Sequence, residues 1–235
     1  KELSPRLRGW RMMERHELLS PCVQCVVPVS HQVQDALIAE YPDLKAKRLL
    51  LGWPGVEPVD DHEVRKSCNK RSKRLIFVGK EWKRKGLGRA IDIFKALREV
   101  DSVVMLDIYG VDPLAVPRMM RKLAGIRFMG WSSEIPWAEY DTLIHPAKNE
   151  PFGMVVVEAI AHGVSVLMSD RVGAADLELN RIRIVPIDAP LRKWMSSLNE
   201  LLISSDREGE VKWTWSDLVD LYCHTVYPQL EPTIL

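Results

Sequence analysis

Apolar and polar positions alternate in two rhythms along this chain. From residue 75 onward, short β-branched runs are followed by longer segments with helical spacing. The runs predict strands at 75–78, 103–109, 126–129, 142–145, 164–168 and 183–185. The segments predict helices at 87–98, 113–123, 154–162 and 191–204. Strands alternating with helices imply β-α-β units, and so an α/β fold with a Rossmann-like, doubly wound parallel sheet. Ahead of this region the pattern predicts a helix within 1–20, a strand at 23–29, a helix at 31–41 capped by Ser30 and stopped by Pro42, and a strand at 48–53. Behind it lies a last helix, 213–226, with Ser216 as its expected N-cap. Residues 57–74 carry no periodicity. They are acidic and then basic, and read as a solvated linker.

One stretch breaks its own pattern. Residues 154–162 are apolar on every side except for Glu158, and a helix apolar all round is buried. A carboxylate there needs a donor. A second carboxylate, Glu150, precedes the helix in a loop that contains Pro151, suited to a first turn, and Gly153, which permits close backbone approach. Between the two carboxylates lies a helix N-terminus with free N–H groups and partial positive charge. Acceptors flanking an anion site suit a ligand with hydroxyls at both ends and phosphate between them. A nucleotide-activated sugar has that layout.

Ligands of such sheets bind past the carboxyl ends of the strands. Gly79, Gly110, Gly130, Glu150 and Ser169 all follow predicted strand ends. The loop 79–86, GKEWKRKG, brings Lys80, Lys83, Arg84 and Lys85 to that rim. It lacks both the dinucleotide fingerprint and the Gly-Lys-Ser/Thr of a P-loop. Its cations suit phosphate oxygens and a diphosphate leaving group.

Composition narrows the alternatives. Lys plus Arg number 33 and Asp plus Glu 32 in 235 residues, a net charge of +1, which gives no reason to expect nucleic acid. No apolar run is long enough for a transmembrane helix. There is no signal peptide, and a start at Lys1 rather than Met reads as a fragment. Cys22 and Cys25 have C-x-x-C spacing without a second ligand pair, and read as reduced thiols. No metal constellation and no G-x-S-x-G hydrolase motif occurs. His145 is read as structural rather than as a catalytic base.

In combination these residues resemble the C-terminal, donor-binding half of retaining glycosyltransferases of the GT-B fold, of the type with a Glu-x7-Glu motif. That motif stands here from Glu150 to Glu158 and continues Ala-Ile-Ala-His-Gly163. The phosphate loop of the family appears as Gly79-Lys80 through Lys85-Gly86. DIYG, IRFMGW and SDRVGAAD fall at later strand ends, and VPVS and PGVEP resemble the interdomain segment. The resemblance implies four parts: 1–56 as the tail of an N-terminal acceptor domain with the interdomain segment, 57–74 as linker, 75–212 as the nucleotide-sugar-binding domain, and 213–235 as C-terminal helix and tail. Lys80, Lys85 and Glu150 would be catalytic. Gly79, Phe152, Gly153, Met154 and Glu158 would bind the donor, with Glu158 on the ribose hydroxyls. No cofactor or metal is implied, because protein cations replace it.

The implied activity is a hexosyltransferase-like transfer from a nucleotide-diphosphate sugar to a hydroxyl of a glycan or glycolipid acceptor, in lipopolysaccharide or other cell-surface glycan synthesis. The implied place is the cytoplasm, with peripheral association at the inner membrane left open. The sequence departs from the family in having Lys80 for the usual Arg, Ala147 for a common Ser, and Ala174-Ala175 in a turn that is usually Gly-rich. The alternative these departures support is a non-catalytic nucleotide-sugar-binding module.

Overall fold

The computed structural model describes residues 5–57, 59, 73–177, 181–203 and 214–226. Helix α1 (Pro5–Leu19), strand β1 (Cys25–Val26), helix α2 (His31–Glu40) and strand β2 (Arg48–Leu49) come first. β1 and β2 pair in parallel as an isolated ribbon. The expected strand 23–29 is therefore cut to two residues. Pro28 has no N–H for a ladder, and only its carbonyl is used, by Gly52 N–H at 3.0 Å. Ser30 caps α2 as expected, its hydroxyl accepting from Val33 N–H at 3.2 Å.

Six strands then build the main sheet: β3 (Arg74–Val78), β4 (Met105–Tyr109), β5 (Ile126–Gly130), β6 (Thr142–His145), β7 (Ser165–Ser169) and β8 (Ile182–Val185). All pair in parallel, in the order β5-β4-β3-β6-β7-β8. This is the doubly wound arrangement expected from the alternation of elements. The crossover helices are α3 (Leu87–Val100), the single turn α4 (Arg118–Arg121) and α5 (Met154–Ala161), followed by α6 (Leu191–Ile203) and α7 (Trp215–Val226).

The four inner strands are covered on both faces, while the edge strands β5 and β8 leave Arg127, Met129 and Ile184 exposed. Leu75, Phe77, Leu106, Ile108, Ile144, Leu167 and Val185 pack with α3 and α6 around the fully buried Trp194. On the other face Ile76, Tyr109, Leu143, Val166 and Met168 pack with α5, Trp137 and Tyr140. Burial on both sides is why the strands read as nearly continuous apolar runs.

The strand expected at 48–53 is likewise only Arg48–Leu49, and two further expectations fail for local reasons. The helix predicted at 113–123 is a 3-10 turn (Pro113–Ala115) followed by α4, because Pro117 cannot supply the N–H that would join them. The cap of α7 is Thr214, not Ser216. Thr214 Oγ1 accepts from Asp217 N–H at 3.3 Å, and the Asp217 carboxylate accepts from Thr214 N–H at 2.6 Å, a reciprocal capping box. Thr214 also forms a parallel bridge with Val56, tying α7 to the segment ahead of the linker. Most of 57–74 lies outside the described residues, and Arg74 belongs to β3.

One charge is buried in the sheet. Asp107 on β4 has no exposed surface. Its carboxylate accepts from Arg74 at 2.6 Å, from Arg127 at 2.6 and 2.7 Å, and from the Tyr140 hydroxyl at 2.9 Å. Burial raises its pKa, but these donors outweigh burial and hold it below the usual carboxylate range. Asp107→Ala is expected to cost about 3 kcal/mol in urea unfolding at neutral pH, near the low end for breaking a buried pair because Arg127 is half in water. A depressed pKa stabilises above the unfolded value and loses that effect as pH falls. The gap between wild type and variant should therefore narrow in acid.

Candidate functional site at the carboxyl rim

Strand order reverses between β3 and β6, and their outgoing loops lead to opposite faces: β3 to α3, β6 to α5. A crevice forms at such a switch point. Its walls are the loops 79–86 and 146–153. They touch through main chain as well as side chain. Lys148 N–H donates to Arg84 O at 2.8 Å, and the Arg84 guanidinium donates to Asn149 O at 2.7 Å. Gly86 makes this approach feasible. Its φ is +81°, and a Cβ there would lie 1.9 Å from Pro146 O. The loop after β6 is also stitched to the loop after β7: Glu150 N–H donates to Arg171 O at 2.9 Å and Gly173 N–H to Glu150 O at 3.0 Å.

The Glu150 side chain closes the crevice. It is buried, and one oxygen, Oε2, takes both cations of the facing loop: Lys85 Nζ in a short ion pair and Arg84 Nη1 at 3.0 Å. Arg84 also pairs with Glu81, Nε to carboxylate at 2.7 Å. Burial lowers the Arg84 pKa, but Glu81 and Glu150 outweigh it and raise the net value. Behind Glu150 sits His145, fully buried at the end of β6. Burial first, and then Lys85 and Arg84, push its pKa down to about 3. The imidazole is neutral, so its 3.9 Å approach to Glu150 is not an ion pair.

Helix α5 starts at the same rim. Gly153 is its N-cap at φ +101°, and the N–H groups of Phe152 and Gly153 donate to no carbonyl among the described residues. Glu158, one turn into the helix, is half-buried. Among the described residues nothing hydrogen-bonds its carboxylate, although a donor was expected. Burial raises its pKa, and His162 opposes this only in part. The His162 ring contacts the Glu158 backbone carbonyl instead, at 2.8 Å.

The expected site residues therefore divide. Glu150 and Lys85 come together. Phe152, Gly153, Met154 and Glu158 lie along the start of α5. Gly79 is at the end of β3, but its N–H is already bound to Tyr109 O at 3.0 Å. Lys80 is exposed and pairs with no described carboxylate. Arg84 was seen only as one of four loop cations. Its partners, Asn149 and Glu150, are 65 and 66 residues away, and its spacing to Glu81 was the only local hint. A further set of contacts was not foreseen. The Ser30 hydroxyl donates to Pro151 O at 2.7 Å, His31 N–H to Asp176 at 2.7 Å, and Gln32 to Asn149 at 2.9 Å.

The family model of the group 1 glycosyl transferases matches residues 72–202. The lipopolysaccharide glucosyltransferase WaaG of Escherichia coli is 27% identical over 158 residues, which are 64% of this chain and 42% of that protein. The crystal structure of WaaG superposes with a TM-score of 0.67 at 18% identity, covering 95% of this chain and 64% of that one. Anabaena HepE, in complex with UDP and glucose, gives a TM-score of 0.60 at 18% identity, covering 78% and 55%. At these identities the superpositions show a shared fold, that of GT-B glycosyltransferases. The chain spans less than two thirds of each of these relatives.

A raised carboxylate pKa destabilises the fold once the unfolded group ionises, so stability falls as pH rises through the ordinary Glu range towards the raised value. Glu158→Gln should accordingly raise the Tm at pH 7.5 and change it little at about pH 3, where the carboxyl is protonated in both the folded and the unfolded chain. Thermal unfolding at the two pH values tests this. An equal gain at both would show that charge is not the cause.

Proposed function

The chain belongs to the group 1 glycosyl transferases, and from that premise we propose that it carries the donor half of a retaining sugar transfer from a nucleoside-diphosphate sugar. The observation that carries the reading is the meeting of Glu150, Lys85 and Arg84 at the open N-terminus of α5, inside the switch-point crevice. A diphosphate there would meet Lys85, Arg84 and Lys80 from one loop, and N–H groups of Phe152, Gly153 and Met154 from the other. Charge develops on the leaving phosphate as the glycosidic bond breaks, so fixed cations stabilise the transition state more than the ground state. These groups supply the positive charge in this reading, which makes the proposed transfer metal-independent.

The two glutamates take different tasks. Glu158 accepts from the ribose hydroxyls, which would give its carboxylate the donors it lacks among the described residues. Glu150 accepts from hydroxyls of the transferred sugar. The acceptor is proposed to be a glycan or glycolipid of the lipopolysaccharide or cell-surface class, as the name of WaaG indicates for that relative, with the reaction in the cytoplasm. No helix among the described residues is long and apolar enough to cross a membrane.

Thermal-shift screening with UDP, GDP, ADP and dTDP tests the donor assignment. A diphosphate at a hundredfold excess over Kd should stabilise by about 2.7 kcal/mol. Lys85→Ala and Glu158→Ala should each weaken diphosphate binding by about tenfold or more, the worth of a charged hydrogen bond. Glu150→Gln should lower kcat more than it raises Kd. Uniformly negligible effects in calorimetry and turnover would sink the assignment. Binding without any transfer by the full-length protein would instead favour a non-catalytic module.

A further inference from the structure

The donor reading leaves one buried group in the crevice without a task. His145 is wholly enclosed at the end of β6, and among the described residues neither ring nitrogen has a hydrogen-bond partner. Nε2 lies 3.9 Å from Oε2 of Glu150, the oxygen that Lys85 and Arg84 already hold. That is about 1 Å longer than an N–H···O hydrogen bond. Three donors converge on one oxygen, and two of them have it. Burial and the two cations keep the ring neutral, so it carries a single N–H rather than a charge.

We propose that His145 is a positioning residue that receives the Glu150 carboxylate when a diphosphate draws Lys85 and Arg84 away from it. The inference rests on the donor reading above. A diphosphate carries more charge and more acceptor oxygens than one carboxylate. Lys85 turns towards it on a flexible stem, and Arg84 offers a fork matched to phosphate. Glu150 then stays buried with both charge partners gone, a state that must be relieved. Its backbone is pinned at N–H and at C=O, so only the side chain can answer. A movement of about 1 Å brings Oε2 to Nε2–H of His145. The other oxygen is then aimed by a neutral donor and remains able to accept from a sugar hydroxyl. Ordered in this way, phosphate binding sets the carboxylate that reads the sugar.

The test uses full-length protein with 15N-labelled histidine, titrated with whichever of UDP, GDP, ADP and dTDP binds it. The expected result is an Nε2–H tautomer of His145 whose ring proton moves downfield on saturation, and no such movement in Glu150→Ala. In turnover, His145→Leu should lower kcat by about tenfold, the worth of one hydrogen bond to a charged acceptor, with the diphosphate Kd little changed. His145→Gln, which keeps an N–H at similar reach, should restore most of the loss. If a diphosphate binds and the His145 signals stay still, or move equally in Glu150→Ala, the proposal is overturned while the donor reading stands. If none of the four diphosphates binds, the donor reading fails and this proposal fails with it. Equal losses in the Leu and Gln variants, or a Kd that rises in step with the fall in kcat, would mark His145 as structural and also overturn it. The spectra of wild-type protein decide the matter even where a variant does not fold.

Discussion

A parallel sheet covered on both faces can offer a ligand only its ends. In this chain α3 and α6 close one face and α5 with Trp137 and Tyr140 the other, so only the edge strands β5 and β8 expose mid-strand side chains, and those of β3, β4, β6 and β7 are shut off from solvent. Where one is charged, as Asp107 is, two arginines and a tyrosine must follow it into the sheet. The carboxyl ends are different. At β3 and β6 the outgoing loops part towards opposite faces, and the main chain cannot fill the gap they leave. Everything chemically unusual in the described residues near the sheet ends gathers there: the cationic loop, the carboxylate that crosses to it, a buried neutral imidazole and an open helix N-terminus.

The ion cluster at that point serves the fold and the reaction by the same means. Glu150, with Glu81, offsets the charges of Lys85 and Arg84, neighbours on one loop that would otherwise repel each other. The pairing also holds two loops in register although they come from strands on either side of the reversal. Lys85, kept in place by a single carboxylate, is poised rather than satisfied, and an anion with more oxygens competes for it and for the share of Arg84 that Glu150 holds. Glu158 shows the complementary condition. It has no partner among the described residues, it is half-buried, and its helix would be a better core helix with Gln or Leu in its place. A local rule broken without local compensation marks a position held for something other than stability.

How much of this could be read in the chain depended on how local its cause was. The sheet strands were legible because double burial writes them as apolar runs, and Ser30 was legible as a cap because its partner is three residues away. The break at Pro117 and the capping box at Thr214 were equally local and were passed over, the first because apolar spacing continues through the proline, the second because Ser216 offered a hydroxyl nearby. Glu150 was legible as a second carboxylate at the helix entrance and Lys85 through a family motif, whereas Arg84 was not, although geometry gives Arg84 the larger share of loop contacts. Neither the neutrality of His145 nor its distance to Glu150 has any signature in residue order. Both follow from how deeply the end of β6 lies beneath the two loops.

The rim is also held from outside its own sheet. Ser30, His31 and Gln32, at the start of α2, bind Pro151, Asp176 and Asn149, residues on the very loops that frame Glu150. Three such hydrogen bonds contribute on the order of 3 kcal/mol, the one to the Asp176 carboxylate the most and the exposed one between Gln32 and Asn149 the least. That is enough to bias the position of the 149–151 loop and too little to fix it against a ligand that binds tightly. The two loops of the crevice are set against each other through Gly86 and Pro146, and the second is set partly by a segment that precedes the linker. A displacement of α2 would reach Glu150 and Arg84 through Asn149 before it reached Lys85. The carboxylate and the guanidinium, rather than the lysine, are then the groups of the site coupled most directly to the segment ahead of the linker.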